Sequence, residues 1–130
     1  MTVRLIAKWP RRLLVLLLLC VVPTGCSRSA RSLSLNQPQA REACAAFLTA
    51  WKAGKKVGDL TPKIVGRDSD WEMGKTLESF EILPEDRSDG TNLHLTVRRT
   101  VKDARGVEIK QEVAYVVGTS PVVTVFRSDE

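Results

Sequence analysis

The sequence predicts an α+β domain in which one N-terminal helix packs across a four-stranded antiparallel meander. Three observations predict this fold class. Apolar residues recur at helical spacing between positions 37 and 53, a long β-hairpin is encoded between Thr91 and Val117, and two shorter apolar runs flank the hairpin at 75–83 and 122–126. A helix lying across such a sheet makes a two-layer structure around one core. About 95 residues suffice for one modest core, so we expect a single domain over 37–130.

The hairpin turns at 103–106, where Gly106 supplies the left-handed conformation that a three-residue loop requires. Asp103 then lies opposite Val107, and this fixes every later pair along the two strands. The charged pairs are Lys102–Glu108 and Arg98–Glu112, and the apolar pairs are Val97–Val113, Leu95–Tyr115 and Leu93–Val117. A shift by one residue would set charged side chains opposite core positions, so the pattern predicts one register.

Arg99 and Gln111 oppose each other on the apolar face of this hairpin and interrupt it. Two interpretations follow from the pattern. The hairpin end extends past whatever covers the sheet, or these side chains line a wet cavity. Arg99, Gln111 and Tyr115 are therefore the candidate pocket-lining residues.

The helix is predicted over about 37–53. Its apolar stripe consists of Ala40, Ala43, Cys44, Phe47, Leu48 and Trp51, at the spacing of one helix face. Asn36 is a good N-cap, Gln39 can complete a capping box, and Gly54 can end the helix. Because an isolated hairpin is only marginally stable in water, we expect this stripe to cover it.

Three carboxylates lie close together in the segment 67–72, which raises the question of a cation site. The segment lacks the full alternation and the closing glutamate of a calcium loop. Ser69 and Glu72 instead form a capping box that can start one helical turn. The sequence therefore favours capping and solvated carboxylates, with Trp71 folding back onto the edge of the core, and no metal is expected.

The remaining strands are predicted from short apolar runs between polar turns. A strand over 75–83 places Phe80 and Ile82 on opposite faces, and a polar turn over 84–90 leads into the hairpin. After a tight turn at 118–121, the last strand covers 122–126. The pattern of valines along this strand does not decide which of its two faces is buried.

The N-terminal segment has the layout of a secretory signal. Basic residues, namely Arg4, Lys8, Arg11 and Arg12, precede the apolar run 13–22, which is shorter than the ~20 residues of a membrane-spanning helix. Gly25-Cys26 resembles the processing site of a bacterial lipoprotein, although Pro23 departs from that pattern. The layout predicts a signal peptide over 1–26, and the resemblance implies a lipid on Cys26. The polar, serine-rich composition that follows predicts a flexible tether over 27–36. Plain secretion and an uncleaved anchor are the alternatives.

The charge of the chain belongs mainly to this leader. Of 20 Lys and Arg residues, four precede Cys26, whereas all 15 Asp and Glu residues follow it. The mature part is thus close to neutral, and its composition gives no indication of nucleic-acid binding. Cys20 and Cys26 lie in the leader and at its end, so Cys44 alone remains in the domain. We expect it to be a small buried hydrophobe, with no disulfide.

Three stretches carry a resemblance to known proteins. Asp68-Ser69-Asp70-Trp71, the run SFEILPEDRSDGTNLHL from Ser79 and the run AYVVGTSPVVTVFR from Ala114 resemble a family of small uncharacterised planctomycete exported proteins and lipoproteins. The likeness covers most of the mature chain, and it implies export without implying an activity. The predicted layout also resembles the cystatin-like and NTF2-like folds, and the short length favours the cystatin-like plan.

No catalytic motif accompanies this fold. His94 is the single histidine, and the register places it on the outward face opposite Val116. No cofactor is expected. The leading hypothesis is a lipid-anchored, non-catalytic interaction or structural module of the bacterial cell envelope, facing the periplasm or cell surface and using the outer face or edge of the sheet. The alternative is a small-ligand-binding protein or minor enzyme with a pocket between helix and sheet.

Overall fold

The computed structural model describes residues 34–128. The predicted signal peptide over 1–26, with Cys20 and Cys26, lies outside the described residues, as does most of the predicted tether over 27–36. Within the described part of the chain, no helix combines the length and the apolar character needed to cross a membrane.

The described chain is an α+β structure with one main helix and a five-stranded sheet. In chain order the elements are α1 (Gln37–Lys52), a short 3-10 helix (Val57–Leu60), β1 (Val65–Arg67), the one-turn helix α2 (Ser69–Glu72), β2 (Thr76–Ser88), β3 (Asn92–Lys102), β4 (Glu108–Gly118) and β5 (Thr124–Arg127). The strand order is β1-β5-β4-β3-β2. The α+β class is confirmed, but the four-stranded meander is wrong because β1 adds a fifth strand, parallel to β5.

The hairpin of β3 and β4 has the predicted register along its whole length, from Lys102 opposite Glu108 to Leu93 opposite Val117. The loop closes as expected, with the Asp103 amide donating to the Val107 carbonyl at 3.1 Å. Gly106 has a φ of +82°, the conformation that a side chain would disfavour. Local turn chemistry and the pattern of the two faces were therefore sufficient to define this pairing.

Helix α1 begins as predicted at the N-cap Asn36, whose Oδ1 accepts from the Gln39 amide at 3.0 Å. The capping box is not completed by Gln39, because the Asn36 amide donates to Thr119 Oγ1 instead, at 3.0 Å. The helix ends at Lys52, and Gly54 follows with a φ of +84°. The residues of the predicted stripe, with Ala50, are all buried.

This stripe covers the odd-numbered face of the hairpin, and the core lies between them. Of the residues predicted for the hairpin core, Leu93, Leu95, Val97, Tyr115 and Val117 are buried, while Val113 is half-buried. On the other face Arg98, Glu108 and Glu112 are exposed and Lys102 is half-buried. Phe47 of α1 occupies the centre, with its ring 5.0 Å from Trp71 and 6.3 Å from Tyr115.

Strand β2 differs from its prediction in length and in facing. It continues to Ser88, so most of the turn predicted over 84–90 is strand. The polar composition there misled the prediction because β2 is an edge strand, where charged residues and Pro84 are tolerated. Phe80 and Ile82 both pack against the core rather than on opposite faces, since residues two apart in a strand share a face.

The last strand runs over Thr124–Arg127 rather than 122–126. The structure defines which face of this strand is buried, because Val125 is buried, while Phe126 is 37% exposed on the other face. Next to it, β1 lies close against α1. A Cβ on Gly66 would lie 2.4 Å from Phe47 Cε2 and 2.6 Å from the Val125 carbonyl oxygen. Only glycine fits there, which lets a three-residue strand join the sheet.

Candidate functional site

A group of charged side chains is buried at the turn end of the hairpin, beneath α2. We call Asp68, Asp70, Arg99 and Tyr115 the ionic cluster. The side chain of Arg99 is fully buried, and it bridges the two carboxylates, with Nη1 2.7 Å from Asp68 Oδ2 and Nη2 bonded to Asp70 Oδ2. Arg99 Nη1 also donates to the Tyr115 hydroxyl at 2.6 Å, and that hydroxyl donates to Asp68.

Local backbone structure positions the first carboxylate. Asp68, not Ser69, is the N-cap of α2, and its Oδ1 accepts from the amides of Asp70 at 2.9 Å and Trp71 at 3.4 Å. Its Oδ2 is thereby turned toward Arg99. The predicted helical turn is present, but the interpretation of solvated carboxylates is wrong, because Asp68 and Asp70 are both buried.

The second carboxylate joins three further side chains to the cluster. Asp70 Oδ1 accepts from Lys75 Nζ at 2.8 Å, while Oδ2 accepts from Arg127 Nη1 at 2.7 Å. Gln111 Nε2 lies 3.5 Å from the same oxygen. Burial by itself would raise the pKa of Asp70, but the hydrogen bond from Lys75 and the charges of Arg127 and Arg99 outweigh burial and lower the pKa below its ordinary value. Asp70 is therefore held ionised.

Burial and the neighbouring charge of Asp68 raise the pKa of the Tyr115 hydroxyl well above its ordinary value. The phenol therefore stays protonated and donates to Asp68. The Arg99 guanidinium carbon lies 5.1 Å from the centroid of the Trp51 ring, a cation–π distance. Arg99 Nε has no hydrogen-bond partner among the described residues, so the planar group is held by its two terminal nitrogens and by aromatic rings.

The cluster and its neighbours link α2 to β3, β4 and β5. Cationic side chains compensate the charges of both carboxylates. Arg99 and Tyr115, two of the predicted candidates, are in direct contact, and Gln111 lies at the rim. The interpretation of an overhanging hairpin end is wrong, because Arg99 is buried beneath α2. That these residues line a ligand pocket stays a prediction.

The sequence analysis missed Asp68 and Asp70 as members of this site, together with Lys75 and Arg127. One signal pointed to them. An arginine on an apolar strand face needs an anionic partner if it is buried, and the segment 67–72 holds three carboxylates close together. The pairing could not be read from spacing, because Asp68 precedes Arg99 by 31 residues.

Two other side chains that could take part in a reaction, His94 and Cys44, are explained by their immediate surroundings. His94 lies opposite Val116, as predicted, and its Nε2 is 3.0 Å from Asp89 Oδ2. The hydrogen bond from His94, with those from the amides of Asn92 and Thr91, lowers the pKa of Asp89.

Burial raises the pKa of the Cys44 thiol to about 12, so the nucleophilic thiolate is disfavoured. Residues 34–128 contain no group of three or more His, Cys, Asp or Glu side chains arranged to hold a metal ion.

The surface of the sheet away from α1, which we call the open face, divides into two parts. One part is charged: Arg98 on β3 lies between Glu112 on β4 at 3.1 Å and Glu81 on β2 at 3.7 Å. The other part carries exposed apolar side chains, with Phe126 on β5 and Val65 on β1. No element of the described chain covers this face in the way that α1 covers the other.

Comparison with known proteins gives no family. No family model matches the chain, and no curated protein matches it. A crystal structure of TerC co-crystallized with polyporic acid is similar at a TM-score of 0.43 and 14% sequence identity, covering 70% of this chain and 91% of that chain. A likeness this distant carries no argument about function.

Proposed function

We propose that the protein is a lipid-anchored, non-catalytic interaction module of the bacterial cell envelope, facing the periplasm or cell surface. In this proposal residues 1–26 direct export, and Cys26 carries the lipid and tethers the domain through residues 27–36. The basic n-region, the short apolar run and Gly25-Cys26 support export and lipid attachment.

The non-catalytic part of this proposal is supported by the packing between α1 and the sheet, where side chains fill the space. Phe47, Arg99 and Tyr115 meet there, each at most 1% exposed, and the carboxylates at that end are paired with cations. Protein side chains thus occupy the position in which the alternative hypothesis places a ligand pocket. This favours an interaction module over a small-ligand binder, and it leaves recognition to the surface.

The open face is better suited to recognition than the β2 edge. Strand addition requires a long, regular, unprotected edge. Strand β2 carries Pro84 and acidic residues, and its register with β3 shifts twice, between Leu77 and Ser79 and between Ile82 and Asp86. These are features by which natural proteins prevent edge pairing. We therefore assign recognition to the open face around Phe126.

The finer fold assignment belongs to the same proposal. A single helix packed on an antiparallel sheet supports a cystatin-like or NTF2-like relationship, with the parallel strand β1 as a departure from the simple meander. Kinship with the small planctomycete exported proteins rests on the three sequence stretches that resemble them.

The anchor is tested by mass spectrometry of the N-terminal peptide of the protein taken from native envelopes. We expect a diacylglyceryl group on Cys26 and a mature chain that begins there. Cys26→Ser should abolish the lipid and leave an unprocessed or released protein, whereas Cys20→Ser and Cys44→Ser should leave anchoring intact. An unmodified Cys26, or a chain that begins elsewhere, would refute lipid anchoring.

The interaction surface is tested by co-purification from native envelopes. Phe126→Glu places a charge on the apolar part of the open face and should abolish capture of envelope proteins that co-purify with the wild type. Val107→Glu is the control, because Val107 is an exposed apolar residue at the hairpin loop, 52% exposed against 37% for Phe126. Equal capture by both variants would exclude the open face.

A further inference from the structure

The C-terminal end of α1 presents a cluster of lysines, Lys52, Lys55 and Lys56, which we call the basic pole. All three side chains are exposed, and within residues 34–128 none has a carboxylate oxygen within 4.0 Å. Two other lysines of the domain differ in this respect, because Lys75 lies 2.8 Å from Asp70 and Lys102 lies 3.6 Å from Glu78. The acid that follows the pole, Asp59, accepts from the Lys56 backbone amide at 3.1 Å. The basic pole therefore retains its positive charge.

Helix energetics explain only part of this cluster. A cation in the last turn of a helix is stabilised by the carbonyl dipoles there, and the effect falls off beyond that turn. Lys52 is the basic residue of the last turn, whereas Lys55 and Lys56 follow the C-cap Ala53. Two of the three ammonium groups thus lie where the helix gains little from them.

The backbone beneath the pole is fixed by two stacked tryptophans. The rings of Trp51 and Trp71 are 5.6 Å apart and nearly parallel. Trp71 Nε1 donates to the Lys55 carbonyl at 2.9 Å, and Trp51 Nε1 donates to the Lys75 carbonyl at 2.8 Å. These bonds hold both lysine-bearing segments around a concave site of about 290 Å³ that Lys55, Lys56 and Lys75 line. Trp51 and Trp71 also line this site, but each is at most 7% exposed, so the exposed ammonium groups of Lys55 and Lys56 are the groups that a ligand would meet first.

The pole lies at the opposite end of α1 from the point where the chain enters the domain. Entry is fixed by the bond between the Asn36 amide and Thr119 Oγ1. The helix has 16 residues, which correspond to a length of about 24 Å. If the lipid is on Cys26, as under the proposed function on which this step rests, the pole lies the full length of α1 away from the residue at which the tether joins the domain.

We propose that the basic pole binds an anionic polymer of the envelope, one that carries repeated phosphate or carboxylate groups. Exposed ammonium groups attract anions over about a Debye length, and several weak contacts along one polymer add through high effective concentration. A polymer fits the observations better than a lipid surface, because the pole lies at the far end of α1 from the tether.

The test uses the mature protein, purified in detergent from native envelopes, titrated with linear polyphosphate and separately with polyglutamate. The variant Lys55→Gln/Lys56→Gln removes two charges but keeps the backbone carbonyl that Trp71 binds. We expect it to weaken binding about three- to tenfold, since each exposed ion pair contributes little. The control Lys63→Gln/Lys110→Gln removes the same charge from exposed lysines outside the pole and should change affinity less than twofold.

The arms of the experiment separate the alternatives. Preference for polyphosphate or for polyglutamate identifies the anionic group, and loss of binding in 0.5 M NaCl supports a charge-based contact. Equal affinity of the two double variants would overturn the proposal, as would binding of phosphatidylglycerol vesicles through Lys55 and Lys56 without binding of either polymer. Mass spectrometry of Cys26 on the same preparation reports on the anchor separately, so a missing lipid would refute the proposed function while leaving the binding result intact.

Discussion

Arg98 and Arg99 are neighbours in β3, yet they belong to different environments. The side chain of Arg98 is 58% exposed and lies between Glu81 and Glu112 on the open face. The side chain of Arg99 is 0% exposed and bridges Asp68 and Asp70 beneath α2. Each arginine therefore pairs with two carboxylates, but the pairs of Arg98 are open to solvent and those of Arg99 are not.

The difference shows that an ion pair matters to this fold mainly through what its loss would leave behind. On the open face water solvates whichever group remains, and such pairs contribute about 0–1 kcal/mol. In the ionic cluster, loss of one partner leaves a charge in the interior, which costs about 3–5 kcal/mol. The two arginines should therefore respond very differently to the same substitution.

The largest effect is expected for Arg99→Met, which keeps much of the side-chain volume but leaves Asp68 and Asp70 without their shared cation. We expect the free energy of unfolding to fall by about 3–5 kcal/mol, measured by urea denaturation. The matched control is Arg98→Met. A similar small loss in both variants would show that the cluster is hydrated and would remove the contrast.

Leu95→Ala tests the apolar part of the same covered face. Leu95 is 1% exposed between α1 and the sheet, so its truncation should cost about 2–5 kcal/mol in the same urea measurement. Thr96→Ala, on the open face, should cost less than about 0.5 kcal/mol. If the two losses were alike, the assignment of faces would be refuted.

Alkaline pH provides a third comparison, because the covered face contains a buried thiol. The pKa of Cys44 is raised from 9.0 to about 12 in the folded protein. Because the folded state holds the thiol proton more tightly than the unfolded state, the protein keeps its full free energy of unfolding below pH 9. It loses this stability progressively as the pH rises toward 12. Between pH 9 and 10, the free energy of unfolding should fall by about 1 kcal/mol more in the wild type than in Cys44→Ala. Urea denaturation at each pH measures this difference. Parallel pH profiles would mean that the thiol ionises freely.

The smallest effect is expected for Arg98→Met itself. Its pairs with Glu81 and Glu112 are exposed, so the loss should be about 0–1 kcal/mol. Because salt screens exposed charges, the difference between wild type and variant should shrink further in 1 M NaCl. A loss that persists at high salt would indicate that the open face is covered in solution.

The sequence alone was enough for the parts of this fold that depend on local partners. Gly106 and the alternation along β3 and β4 defined the hairpin, and Asn36 and the apolar stripe defined α1. In each case the informative residues lie within one turn, one helix face or one pair of adjacent strands. Their physical preferences act over short separations, and so a pattern in the chain predicts them.

The elements that were missed depend on distant partners. Strand β1 has three residues, too few to show alternation, and Gly66 is identified as a strand residue only by its contacts with Phe47 and Val125. The ionic cluster joins Asp68 to residues 31 and 47 positions later. Arg99 interrupted the apolar face in the sequence, but its carboxylate partners could be known only once α2 lay over the sheet.

The position of β5 has a consequence for how the domain forms as it is synthesised. This strand comes last among the described elements, yet it lies inside the sheet between β1 and β4, and Arg127 at its end binds Asp70. A nascent chain that stops at Val123 lacks both the strand on which β1 pairs and one cation of the cluster. Neither β1 nor α2 then has its full docking surface, so a premature stop near residue 123 would weaken the docking of two elements that lie far earlier in the chain.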